Sequence, residues 1–398
     1  MTQEQSCFLQ LLRDYIHQRP SVRPPEEVDW MQIARYAKEQ SLGGILYVQC
    51  RDFLRQDSEA LKCLHQGFYS AVYGYVNGNS ELGLIEKEFK EAGISYLPFK
   101  GEIIRRYYPN PELRTMGDID LLIHRQDHEK ADEIMLGFEY DRFVDNHAVW
   151  TYHKPNIMIE IHNAMFYEYL CNSVDYREYF GHAWETAVPM NGGSGYEPEP
   201  NLHFLFLICH TAKHIINHGI GFRAFLDIIF MTRKENLDWV WLADELGRLE
   251  LLEFTKTCFA FCERWFDVTM PFVSGDLENG FFEEVTSKTF RDGTFGLHNE
   301  QNEAAHSAKE IQRSGKPYWI TALALIWKKL FPPYKDMQLI PWYSFVDGRP
   351  WLMPAAWIYR WFYTATHKSR HTRELLVEPI AKRDIIKERK NLINSWKL

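Results

Sequence analysis

An α+β fold, with a mixed-direction sheet preceded and followed by helices, is predicted by three observations. Apolar residues recur at three and four from Gln3 to about Gly78, the spacing of amphipathic helices. From Glu81 onward helical and strand-like runs alternate, which suggests an α/β sheet with mixed strand directions. Beyond the loop-forming stretch NGGSGYEPEP, Asn191 to Pro200, the pattern turns helical again. The expected organisation is an N-terminal helical region at 1–80, an α/β core at 81–190 and a mainly helical C-terminal domain at 200–398.

In the first region CFLQLLRDYI, DWMQIARYAKEQSLGGILYVQCRDFL and EALKCLHQGFYSAVYGYV read as helices, with Asp29 as an N-cap and RPSVRPP as a joint between the first two. No chemistry is visible there.

The core opens with a helix around Glu81 to Ala92, an Ala-Gly turn and a strand from Ile94 to Phe99. Lys100 and Gly101 follow, then a helical stretch from Glu102 to Tyr108. A strand, a glycine and a helix N-terminus form an anion site, because free N–H groups and the positive end of the helix dipole face the ligand. Arg105 and Arg106 read as solvated.

After Gly117, Asp118 and Asp120 alternate with Ile119 and Leu121, and a strand places residues i and i+2 on one face. Two carboxylates ~6 Å apart repel by roughly 3 kcal/mol at an effective dielectric of ~20. A partly buried pair therefore calls for a cation, and Mg2+ suits carboxylate oxygens shared with substrate phosphates; the plainer reading is a solvated strand end. A helix from Gln126 to Gly137, capped by that glycine, precedes three strands, FEYDRFV, HAVWTYHK and NIMIEIH. The last places Glu160 and His162 on one face and Ile157, Ile159 and Ile161 on the other, so Glu160 supplies a third carboxylate.

A glycine turn, Asp-x-Asp on a strand and a lone acid on a later strand resemble the nucleotidyltransferase fold of the DNA polymerase β superfamily. More narrowly, LPFKGEIIRRYYPNPELRTMGDIDLLI with IEIH looks like the uncharacterised bacterial nucleotidyltransferase family, family 5 of that fold. The likeness runs on through CHTAKHIINHGIGFRAFLDI to LFPPY and PWLMPAAWIYR, spanning roughly Trp30 to Arg360. It implies that Asp118, Asp120 and Glu160 hold Mg2+, with Mn2+ as the substitute, and that Gly101 and Lys100 cradle phosphates. Arg114 matches an arginine of the family pattern, and either touches phosphate or braces the loop. At the turn the superfamily has Gly-Ser or Gly-Gly, whereas this chain has Gly101-Glu102: either Lys100 compensates or Glu102 points away along its helix.

In the C-terminal domain NLHFLFLICHTAKHIINHG carries His203, His210, His214 and His218 close to one stripe. Three readings stand: histidines hydrogen-bonded in place, a cleft wall where Lys213 or His214 meets phosphate, or a zinc site. Arg223 and Asp227, one turn apart, read as an ion pair. The tail from His367 to Leu398 is basic and amphipathic. It reads as a solvated helix, or as a surface for a partner, RNA or a membrane.

Composition narrows the classes. A net charge of −9 argues against nucleic-acid binding by the whole surface. No apolar run reaches the ~18 residues of a membrane span, the longest lying around Tyr318 to Trp327, and Met1 to Pro20 lacks the apolar core of a secretory signal. Seven scattered cysteines read as core thiols of a cytoplasmic protein.

The resulting expectation is a Mg2+-dependent nucleotidyltransferase that moves NMP from an NTP such as ATP to a hydroxyl-type acceptor. The acceptor is a small molecule, a peptide, a protein or an RNA end. The alternative keeps the fold without the chemistry, as a nucleotide-binding regulatory or antitoxin-like module.

Overall fold

The computed structural model describes residues 1–24, 27–146, 148–190, 193–217, 219–272 and 275–294, and then 320, 323, 327, 330–337, 345–346, 348–367 and 383–398. His218, most of the apolar run at 318–327 and the tail segment 368–382 lie outside the described residues.

The fold is α+β. Four helices lead in: α1 (Gln3–Ile16), α2 (Trp30–Glu39), α3 (Gly43–Cys50) and α4 (Glu59–Glu91). Asp29 caps α2 as expected, accepting from the N–H groups of Met31 and Gln32. The single helix expected across Trp30 to Leu54 is instead broken at Gln40–Leu42. Ser41 takes φ 55°, and Gly43 then packs on Gly67 of α4 so closely that an added Cβ would stand 3.2 Å from its Cα.

The sheet has the order β1-β2-β5-β4-β3. Its strands are β1 (Tyr96–Phe99), β2 (Ile119–Ile123), β3 (Asp141–Asn146), β4 (Val149–Lys154) and β5 (Ile157–His162). β2 runs antiparallel to β1 and parallel to β5, which continues antiparallel to β4. Between β1 and β2 lies α5 (Gly101–Ile104), and between β2 and β3 lies α6 (His128–Gly137). The expected helix from Glu102 to Tyr108 is thus one α turn followed by a 3-10 turn at Arg105–Tyr107. So short a helix has little dipole, and the anion-site argument built on it falls away. Gly137 closes α6 as its last helical residue, and the positive φ of 64° falls on Glu139 instead.

Alternation along the strands sorts the core. Ile119, Leu121 and Ile123 with Ile157, Ile159 and Ile161 pack against Leu82, Ile85 and Phe89 of α4 and Ala131 and Met135 of α6. On the opposite face Leu97, Phe99 and Leu122 join a larger core built with the later helices. Those helices are α7 (Tyr176–Tyr179), α8 (Ala183–Thr186), α9 (Pro200–Asn217), α10 (Phe222–Lys234), α11 (Trp239–Arg248), α12 (Leu252–Phe266) and α13 (Asn279–Asp292).

The same larger core takes in α1–α3: Phe8 meets Phe222 at 5.7 Å and Phe290 at 5.3 Å between ring centroids. Five of the seven cysteines, all of them free thiols, are buried; Cys7 and Cys63 are half-buried. Among the described residues no helix is long and apolar enough to cross a membrane.

Candidate functional site

Strand register gathers the acids. Asp120 of β2 lies opposite Phe99 on one side and opposite Glu160 on the other, while Leu122 lies opposite His162. Asp120, Glu160 and His162 therefore share the sheet face that looks toward α9, where Phe206 packs on Phe99 at 5.3 Å. One ligand atom from each of the three lies within 4.8 Å of the others, forming the one such group found among the described residues. Asp118 stands just before β2, half-buried.

His162 is the member whose role sequence reasoning missed, although its shared face with Glu160 was visible. Its Nε2 donates to Asp120 Oδ1 at 2.8 Å and lies 3.2 Å from Glu160 Oε2, which fixes both carboxylates in place. The donor chemistry fits a hard divalent cation: carboxylate oxygens in front, with an imidazole N–H steadying them from behind.

Lys100 enters the same cluster. Its Nζ sits 2.5 Å from Asp120 Oδ1 and 3.8 Å from Glu160 Oε2. The turn that aims it is strained: Lys100, not Gly101, carries the positive φ, at 52° with ψ −127°. Such a conformation costs a residue with a Cβ on the order of 1–3 kcal/mol. Burial pulls the ammonium pKa down, yet the carboxylates of Asp120, Asp118 and Glu160 outweigh it and hold Lys100 above its ordinary value.

The two aspartates are driven apart electrostatically. The Asp120 carboxylate, with burial second, pushes Asp118 up to about 6. Burial acts on Asp120 in the same direction, but Lys100 and His162 prevail and hold it well below the usual carboxylate range.

Gly101 is needed for room rather than for its backbone angles. A Cβ there would collide with Arg114 Nη1 and stand 2.8 Å from Met116 Sδ. Arg114 is itself committed: Nε and Nη2 bond both oxygens of Asp227 on α10, at 3.1 and 2.7 Å, and Tyr108 donates to Asp227 Oδ1 at 2.6 Å. The expected Arg223–Asp227 pair gives way to this one, because burial leaves Asp227 no better partner than a forked guanidinium. Arg223 Nη1 donates to the Thr115 carbonyl at 2.9 Å. Both arginines thus brace the loop that delivers Asp118.

Glu102 faces away from the carboxylates. It is buried against Arg105, which also bonds Asn79 and lies over the Tyr75 ring at 4.7 Å. Arg105 is therefore a buried partner, not the solvated residue expected; Arg106 pairs at the surface with Glu197.

A cavity of about 80 Å3 lies between the sheet and α9–α10, with Lys100, Arg114, His210, His214, Arg223 and Asp227 in its wall. Positive groups dominate it. His214 Nε2 and His210 Nε2 are 2.8 Å apart, so one donates and the other accepts. Burial, then His214 and Lys100, holds His210 well below its ordinary pKa, in the neutral form. His203 is buried two turns further back, brought down to about 3 by burial and Arg114. Lys213 turns to Glu168 at 2.7 Å, over the Tyr167 ring, and does not line the cavity.

A second cavity of about 260 Å3, bounded by Gly74, Tyr75 and Gly78 of α4, reaches Asp118 from the other side of the sheet. Another cavity, about 720 Å3, shares no wall residue with these two. Three of its acids serve as helix caps: Asp175, Glu199 and Asp238 accept N–H bonds at the starts of α7, α9 and α11.

Residues 26–267 match the family described as "Uncharacterised nucleotidyltransferase". No curated protein and no solved structure matches the chain.

Proposed function

The chain belongs to the uncharacterised nucleotidyltransferase family, and on that premise we propose that it transfers NMP from an NTP to a hydroxyl-bearing acceptor. The observation that carries this reading is the register that sets Asp120, two residues after Asp118, opposite Glu160, with a cationic cavity beside them.

Asp118, Asp120 and Glu160 would hold Mg2+, or Mn2+ in its place. Such an ion, when bound, polarises the α-phosphoryl group and lowers the acceptor hydroxyl's pKa. The chain's own groups do the rest. Lys100, Arg223 and His214 line the cavity that would take the β and γ phosphates, and Gly101 keeps its edge clear for Arg114. His162 fixes Asp120 and Glu160 in position. The acceptor oxygen bonds to the α-phosphorus, the bond to the β-phosphate oxygen breaks, pyrophosphate leaves and the hydroxyl proton passes to solvent. Positioning and charge supply most of the rate enhancement, with no dedicated protein base.

An acid at Gly101-Glu102, where the superfamily has Gly-Ser or Gly-Gly, would favour the non-catalytic alternative. The Glu102–Arg105 pair weakens that support, since the acid is spent within its own helix turn. An NTP-consuming chain with free thiols fits a reducing, cytoplasmic compartment.

Calorimetry tests the reading without knowledge of the acceptor. Each non-hydrolysable NTP is titrated with and without Mg2+ into the wild type and Asp120→Asn. Metal-dependent binding lost in the variant is the expected result; no binding by the wild type, or equal binding by the variant, rejects it.

A further inference from the structure

Lys100 is held in a backbone conformation that glycine adopts freely and that other residues resist. Glycine would build this turn without strain, so what the strain preserves is the side chain. That side chain ends between two carboxylates, 2.5 Å from Asp120 Oδ1 and 3.8 Å from Glu160 Oε2, and is itself mostly buried.

Asp120 divides its two oxygens. Oδ1 takes both Lys100 and His162, whereas no described residue bonds Oδ2. Asp118, two residues back and just ahead of the strand, is therefore the natural partner of Oδ2 in holding an ion. The position between Asp120 and Glu160, where a second ion would sit, is filled by the ammonium. A divalent ion forced in beside it would meet a positive charge within ordinary contact distance, inside a poorly hydrated site. One divalent ion and one ammonium also balance the three carboxylates of Asp118, Asp120 and Glu160.

We propose that Lys100 is the second cation of this site: it stays between Asp120 and Glu160 when nucleotide is bound, and the chain takes up one divalent ion per nucleotide, between Asp118 and Asp120. The inference rests on the metal-dependent NTP reading above. It narrows that reading's three donors to Asp118 and Asp120 for the ion, leaves Glu160 to Lys100, and keeps Lys100 in the wall of the phosphate cavity as well.

Counting ions tests it without any acceptor. Mn2+ is titrated into full-length protein saturated with each α,β-methylene NTP in turn, and the bound fraction is read from the loss of the free-ion EPR signal. Wild type, Lys100→Gly and Lys100→Met are compared after circular dichroism has shown that they are folded. One Mn2+ per bound nucleotide in the wild type and two in the folded variants is the expected result. Two in the wild type overturn the proposal and leave the NTP reading standing, and this count needs no variant. One in the wild type and still one in a folded variant also overturns it, because Lys100 then blocks no ion position. Absence of Mn2+-dependent nucleotide binding by the wild type removes both the reading and the inference.

Discussion

Arg114 and Asp227, 113 positions apart, form a buried two-pronged ion pair that ties the loop before β2 to α10. Removing one partner of such a pair leaves an uncompensated buried charge, which costs about 3–5 kcal/mol. Asp227→Ala is expected to lose that much in urea unfolding and also to weaken metal-dependent nucleotide binding, because the same loop delivers Asp118. A loss under about 1 kcal/mol would show that the loop is held by other means.

Asp118 gives a pH signature. Its folded pKa, about 6, lies above the ordinary value of roughly 3.9. A raised carboxyl favours the folded state fully below the unfolded pKa, and that contribution disappears as pH rises through the folded one. Metal-free wild type should therefore lose stability relative to Asp118→Asn between pH 4.5 and 7.5, by on the order of 2 kcal/mol. Divalent-ion affinity should fall as pH drops below about 6, since protons then compete for Asp118. Unfolding at both pH values, with a chelator present, reads the first effect; a constant difference contradicts it.

Two glycines should respond in opposite directions. Gly101→Ala must displace Arg114 or Met116, and overpacking of this kind costs about 1–3 kcal/mol. Gly74→Ala, exposed in the interior of α4, meets nothing within 4 Å and is expected to gain about 0.5–1 kcal/mol of helix propensity. Thermal denaturation separates the two.

Arg223 is expected to bind phosphate. Arg223→Ala should weaken Mg2+-dependent binding of NTP and of inorganic triphosphate alike, by roughly 10- to 100-fold, the worth of a charge-assisted contact. Calorimetry with both ligands checks this. A loss confined to NTP would mean that Arg223 meets the nucleoside instead.

Much of this site could be read from local pattern. The period of two in IDLLI and IMIEIH sets which face each acid takes, and the strands are found with the acids on the face toward α9 and the isoleucines on the other. What pattern could not supply was any partner chosen across the fold. Arg223 and Asp227 look paired because they are one helical turn apart, yet a guanidinium from another segment, oriented by the Gly101 contact, reaches Asp227 better. Lys100 beside a glycine reads as part of a phosphate-binding turn. Only the third dimension shows that the glycine-like backbone angle falls on the lysine and aims it at Asp120. The break at Ser41 was hidden for a similar reason, since the pressure on that helix comes from Gly67 on a different one.

Helix α4 runs unbroken for 33 residues, roughly 50 Å at 1.5 Å per residue. Its first turns, through Ala60 and Leu64, are embedded in the core shared by the N-terminal and later helices; its last, through Leu82, Ile85 and Phe89, underlie the sheet. Neither body can melt without stripping apolar cover from a helix the other also needs, and a helix is reluctant to end midway. The two cores should thus be lost in a single cooperative transition: calorimetric and van't Hoff enthalpies ought to agree across the region from α1 to α13, despite its containing two hydrophobic clusters.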